Sequence, residues 1–286
     1  MECRKLDVRE INPRLPETVN PAWLQVMLHD NCPRTMQGED TRRPVIIVMP
    51  GGAYAYTSPR ESDPVAIPFF AAGFQVLTLH YSCKPDHYPA ALLQAAATVA
   101  WVRENAEELH ADPKNIYVCG FSAGGHAAGS IAILWNEPVI HETLGIDNCL
   151  CRPDGMILGY PVITAGSFAH RGSLNNLLGE GQPEEAYQKL SLELRVDDTT
   201  PPAFLWHTWE DALPMENTML LAQALRAHKI PFELHIFPYG PHGMSVANEE
   251  SSLPEQTNIR DPHVGSWMQL ACEWVKIQSK RNLVKA

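Results

Sequence analysis

Residues 115–135 read NIYVCGFSAGGHAAGSIAILW. A short apolar run, Ile116 to Cys119, meets Gly120-Phe121-Ser122-Ala123-Gly124, and an alanine-rich stretch with an apolar end follows. The first part suits a strand buried on both faces and the last part a helix, so the glycine-flanked serine falls at a strand-to-helix junction. In that setting G-x-S-x-G is a nucleophile elbow: the glycines let strand and helix approach, and the serine hydroxyl stands above the sheet at a helix N-terminus. The pattern alone arises by chance in roughly one chain in ten of this length. Its bland alternative is a glycine-rich turn with a capping serine, so the weight rests on what surrounds it.

Outward from the elbow, strands and helices alternate. Strands are expected at 22–30, 44–50, 74–81, 155–162, 203–209 and 232–238, with NIYVCG between them. Helices are expected at 89–111, 183–194, 214–228 and 262–279, and through DPVAIPFFAAG, which ends at Gly73. Ser58 and Glu61 have capping-box spacing ahead of that last helix. Asp261-Pro262 supplies an N-cap and an N1 proline for the C-terminal helix. Alternation of this kind predicts an α/β fold with a mostly parallel central sheet and helices on both faces. With no repeat and no linker-like stretch, residues 1–286 read as a single domain.

The 286 residues are 45% hydrophobic and 19% charged, enough to bury a sizeable core. Asp and Glu number 33 against 22 Lys and Arg, a formal charge of −11 that repels phosphate backbones and anionic lipid. Nucleic acid and membrane partners are therefore not expected. The basic residues Lys276, Lys280, Arg281 and Lys285 read as a solvated helix end. Seven cysteines, at 3, 32, 83, 119, 149, 151 and 272, form no zinc spacing and read as reduced thiols. The sequence calls for no metal and no cofactor. The N-terminal stretch lacks an apolar leader-like segment, which sets the expectation of a cytoplasmic location.

A serine hydroxyl needs a base and oxyanion donors. VMPGGAY follows the strand at 44–50, and small residues there leave backbone N–H groups unobstructed. Gly52 and Ala53, with Ala123 after the serine, are the candidate oxyanion hole, although positive φ at Ala53 would be costly. His242 lies in the loop after the last strand, in FPYGPHGMS, and is the candidate base. His80, His207 and His235 fall within strands and read as core or rim groups; His126, one helical turn beyond Ser122, is the best rival. The orienting carboxylate should fall between serine and histidine, after a strand. LWHTWEDALP offers Asp211 and the alternative Glu210, whereas Asp197 and Asp198 precede the strand. Tyr54, Tyr160 and Trp209 either stack on a substrate or belong to the core.

Across nearly its whole length the chain resembles the α/β-hydrolase fold, in the esterase/lipase group of hormone-sensitive-lipase-like and acetylxylan-esterase-like enzymes. PGGAY, HYSCKPDHYPAALLQ, DPKNIYVCGFSAGGHAA, LGYPVI, TPPAFLWHTWED and PMENTMLLAQALRAHKIPFELHIFPYGPHGMS carry the resemblance. Pro50 stands where relatives have histidine, Ala53 where they have a third glycine, and Asp211-Ala-Leu-Pro is one residue shorter than the usual Asp-x-x-Val-Pro. The resemblance implies a serine carboxylesterase with a Ser122–His242–Asp211 triad. Its implied partner is a small acyl ester, foremost the O-acetyl groups of sugars or xylo-oligosaccharides. Homo-oligomerisation is left open. The alternatives are a peptidase of the prolyl-oligopeptidase type and a non-catalytic binding protein on the same fold.

Overall fold

The computed structural model describes residues 1–30 and 42–284, so Cys32 and Lys285 lie outside the described residues. Eight strands join one sheet: β1 (Glu2–Asp7), β2 (Trp23–Leu28), β3 (Arg43–Met49), β4 (Gln75–His80), β5 (Ala111–Phe121), β6 (Gly155–Gly159), β7 (Ala203–Thr208) and β8 (Phe232–Phe237). Their spatial order is β1-β2-β4-β3-β5-β6-β7-β8. β1 and β2 run antiparallel to their neighbours, and β4, β3, β5, β6, β7 and β8 are mutually parallel. The sheet is thus a mostly parallel α/β-hydrolase sheet.

The period of two along each strand divides the apolar residues between two cores. Val45, Ile47, Met49, Ile116 and Val118 face one side, where the helices Ala90–Glu104, Ser122–Ile133 and Glu216–Ala227 pack. Ile46, Val48, Tyr117, Cys119 and Phe121 face the other, against Asp63–Ala71 and Trp267–Val284. This two-sided burial is why the central strands read as unbroken apolar runs. Among the described residues no helix is long and apolar enough to cross a membrane.

Four expectations need correction. β1 was not foreseen: ECRKLD is a half-exposed edge strand with no apolar run to announce it. The strong helix stops at Glu104, because the chain turns through His110 (φ 48°) and enters β5 at Ala111. The segment 183–194 holds only one short helix, Glu184–Gln188, and a 3-10 turn, while Arg171–Leu178 forms a helix that the sequence did not announce. The Ser58–Glu61 capping box does not form: Ser58 makes no side-chain cap, and Glu61 is buried with other partners. Asp261 does cap its helix, accepting from the N–H groups of His263 and Val264, but that helix breaks at Ser266 before the long one resumes at Trp267.

Candidate active site

Parallel strands deliver their C-terminal loops to one edge of the sheet, where ligands of such sheets bind. Here β3 leads to Pro50-Gly51-Gly52, β5 to Ser122, β6 to Tyr160, β7 to Asp211 and β8 to His242. Ser122 takes φ 53°, the left-handed region that a non-glycine residue occupies only under constraint. The constraint is visible at its flanks. A Cβ on Gly120 would lie 2.1 Å from the carbonyl oxygen of Gly124, and one on Gly124 would lie 2.1 Å from that of Met49. The glycines therefore permit β5, the following helix and the end of β3 to touch, and the elbow is wedged between them.

His242 Nε2 lies 2.9 Å from Ser122 Oγ. Its Nδ1 lies 2.8 and 2.9 Å from the two oxygens of Asp211. A carboxylate only accepts, so Nδ1 carries the proton and Nε2 faces the serine as an acceptor. The Asp211 side chain is closed to solvent. Its Oδ1 also accepts the Leu213 N–H at 2.7 Å, and Oδ2 lies 3.4 Å from Nε2 of the buried His207. Burial works to raise Asp211, yet the hydrogen bonds from His207 and His242 outweigh it and hold the carboxyl below its usual range. Burial likewise pulls His242 down, but the Asp211 carboxylate, seconded by Glu61, prevails and lifts the imidazole above its ordinary value. A raised basicity beside a hydroxyl is what proton abstraction requires.

Glu210 does not join this set. It is exposed, and its carboxylate accepts the Gly240 N–H at 3.2 Å, bracing the loop that carries His242. His126 does not either. It is buried, its Nδ1 lies 2.8 Å from the Tyr54 hydroxyl and its Nε2 3.0 Å from the Leu190 carbonyl oxygen, and burial pushes its imidazole down to about 4. His207 is held between Thr218 and Leu213, behind Asp211.

The candidate oxyanion loop is strained. Gly52 has φ 124°, and Ala53 and Tyr54 have φ 55° and 56°, so the costly conformation is adopted at Ala53 itself. The Asn176 side-chain amide donates to the Ala53 carbonyl at 2.8 Å, and the Lys84 N–H donates to that of Tyr54 at 2.9 Å. These bonds offset a conformation that costs roughly 1–3 kcal/mol per residue. Gly52, Ala53, Ser122 and His242 line one cleft of about 660 Å³, and Ala123 follows the serine in the first turn of its helix, where N–H groups lack intrahelical acceptors.

Of the two readings open for the aromatics, Tyr54 and Tyr160 take the core one. Tyr54 and Tyr160 are 2% and 0% exposed, so neither face is open to a sugar ring. Trp209 is 66% exposed but is not part of the cleft wall. The wall holds Tyr56, Ser58, Arg60, Glu61, His170 and the segment 250–253, none of which the sequence singled out as site residues. His170 accepts from the Ser173 N–H through Nδ1, which leaves Nε2 to carry its proton; burial and nearby His242 push its imidazole down. No local motif marks these residues: they come from three separate stretches, 56–61, His170 and 250–253, that only the fold brings together.

The family model BD-FAE matches residues 34–225. The chain is 38% identical over 226 residues to the endo-1,4-beta-xylanase B of Butyrivibrio fibrisolvens, a match covering 75% of this chain and 34% of the xylanase. It thus spans about a third of that relative's length. Among solved structures it is similar to an acetyl ester-xyloside bifunctional hydrolase from Caldicellulosiruptor lactoaceticus, with a TM-score of 0.80 and 34% identity, over 96% of this chain and 95% of the other. A carboxylesterase from Lactobacillus plantarum superposes with a TM-score of 0.83 and 27% identity, over 98% of both chains.

Proposed function

The chain belongs to the BD-FAE family and is an α/β-hydrolase of the carboxylic ester hydrolase class, and from that premise we propose that it hydrolyses short-chain acyl esters, acetyl esters foremost, carried by sugars or xylo-oligosaccharides. The reading rests on one observation: His242 holds Ser122 Oγ at 2.9 Å with Nε2 while Asp211 engages Nδ1 with both oxygens.

Ser122 Oγ attacks the ester carbonyl carbon as its proton passes to His242 Nε2. The carbonyl oxygen takes up negative charge and meets the N–H groups of Gly52, Ala53 and Ala123. Asp211 stays ionised, fixes the imidazole tautomer and stabilises the imidazolium. Collapse of the tetrahedral intermediate breaks the bond to the alcohol oxygen, which leaves with the proton from His242. Water, deprotonated by the same imidazole, then attacks the acyl-enzyme, and the carboxylic acid departs with Ser122 restored.

The cleft supports a hydroxylated alcohol portion. Its wall carries Ser58, Arg60, His170, Glu250 and Ser252 beside the exposed Tyr56 and Leu253, so hydrogen-bonding groups for a hydroxylated portion stand next to apolar surface for a sugar ring face or a short acyl group. The names of two similar proteins, an acetyl ester-xyloside hydrolase and a xylanase, point to the same substrates.

The test is an assay panel of acetylated xylo-oligosaccharides and aryl esters of rising chain length, with Ser122→Ala as the control. Acetyl esters should be turned over fastest, a fluorophosphonate should label the wild type, and Ser122→Ala should lose both properties while staying folded. Labelling that persists in Ser122→Ala would refute the assignment of the nucleophile.

A further inference from the structure

Glu61 is a carboxylate in the cleft wall that the mechanism above does not use. Only 3% of the residue is exposed, and such burial is costly for a charge unless its oxygens are satisfied. Both are. Oε2 accepts the Gly51 N–H at 2.7 Å, and Oε1 accepts the Tyr160 hydroxyl at 2.7 Å. The Tyr160 oxygen in turn accepts the Ser245 N–H at 2.9 Å, which commits its proton to Glu61.

These contacts join the separate parts of the site. Gly51 precedes the candidate oxyanion donors; a Cβ there would lie 2.7 Å from Glu61 Oε2 and 2.9 Å from Ser122 Cβ, so the loop is clasped between the carboxylate and the serine. Ser245 lies in the loop three residues after His242. The Ser245 hydroxyl donates to the Arg60 carbonyl at 2.7 Å, and the Arg60 guanidinium donates to the Gly243 carbonyl at 3.3 Å. The Tyr160 ring packs edge-on to the His242 ring, with centroids 5.1 Å apart.

We propose that Glu61 is a positioning residue: it locks the oxyanion loop to the histidine loop through Gly51 and Tyr160, and its negative charge supports His242 as that imidazole takes up the serine proton. The inference rests on the triad reading above. The charged and titratable groups around His242 are Asp211 on the β7 loop with His207 behind it, Glu61 and Arg60 on the 3-10 turn Pro59–Glu61, His170 on the cleft wall and the Tyr160 hydroxyl. Asp211 and Glu61 are the two that raise the imidazole's affinity for a proton. Burial pushes Glu61's own carboxyl upward, against the donors from Tyr160 and Gly51 that favour its ionised form.

The experiment compares the pH profiles of kcat/KM, and kcat and KM separately, for p-nitrophenyl acetate with the wild type, Glu61→Gln, Glu61→Asp and Tyr160→Phe, beside Ser122→Ala. Glu61→Gln removes the charge at nearly constant shape. Its kcat should fall roughly ten- to hundred-fold, less than the loss of one whole oxyanion donor, with KM little changed. Its acid limb should also move to lower pH by roughly half a unit to one unit. Tyr160→Phe cuts the link and keeps the charge, so kcat should fall while the limb does not move to lower pH. Glu61→Asp should likewise keep the wild-type limb.

Equal losses in all three variants with an unmoved limb would overturn the electrostatic role and leave only packing. Wild-type kinetics in Glu61→Gln would overturn the whole proposal. Should Glu61→Gln fail to fold, Tyr160→Phe decides, since wild-type kcat there refutes the lock. Activity retained in Ser122→Ala would instead sink the triad reading, a separate outcome.

Discussion

Replacing Asp211 by asparagine removes one charge and exchanges one acceptor oxygen for a donor amide behind His242. The environment dictates how the new side chain sits. Oδ1 of Asp211 accepts the Leu213 N–H at 2.7 Å, a bond that only an oxygen can keep. The amide nitrogen is therefore turned to the Oδ2 position, 2.9 Å from His242 Nδ1 and 3.4 Å from His207 Nε2. There it can donate to Nδ1, while the retained Oδ1 lies 2.8 Å from the same nitrogen, so the side chain no longer fixes the Nδ1–H tautomer and admits the one that carries its proton on Nε2. An Nε2–H facing Ser122 Oγ at 2.9 Å cannot receive the serine proton. For a triad of this kind the wrong tautomer costs about 10⁴ in kcat, or ~5 kcal/mol of transition-state stabilisation. The companion Glu210→Gln keeps an oxygen for the Gly240 N–H at an exposed position, and its kcat/KM should stay within about twofold of wild type. Steady-state kinetics with p-nitrophenyl acetate, on variants whose circular dichroism matches the wild type, measures both. Comparable losses in the two variants, or an Asp211→Asn loss below tenfold, would refute the argument.

Three further outcomes are expected. The acid limb of kcat/KM should fall above pH 6.5, because the folded-state pKa of His242 is raised from that value and the protonated ring cannot act as base. By the same linkage, the stability that His242 contributes is complete below its unfolded pKa and fades as pH rises through the folded one. That of Asp211, whose pKa is depressed, is lost only as pH falls through its folded value. Gly124→Ala should cost at least roughly 2–3 kcal/mol in urea unfolding, since its methyl would lie 2.1 Å from the backbone oxygen of Met49, which has no room to move. Tyr54→Phe should cost about 1–3 kcal/mol in the same measurement, because it strips the 2.8 Å hydroxyl partner from Nδ1 of buried His126.

The parallel core of the sheet was legible because β3 and β5 are buried on both faces and so declare themselves as apolar runs. β1 was not, since an edge strand with polar residues on both sides carries no such contrast. The elbow was legible because glycine spacing is a local consequence of a local crossing. Glu61 is the opposite case. Its three-residue spacing from Ser58 suggested a cap, yet its partners are Gly51, ten residues before it, and Tyr160, 99 residues after it.

What the chain order alone determined is the alternation of elements, and with it the α/β sheet and the placing of Ser122, Asp211 and His242 in loops that leave C-terminal strand ends. Hydrophobic periodicity and turn chemistry act between near neighbours, and these features need nothing else. Only the folded chain decided that Asp211 and not Glu210 meets the imidazole, that Tyr54 and Tyr160 are buried, and that Glu61, Arg60 and His170 line the cleft. Those choices depend on which way adjacent side chains point and on which distant loops meet. Residues at such sequence separations are brought together by the packing of the whole sheet, for which no short motif is a code.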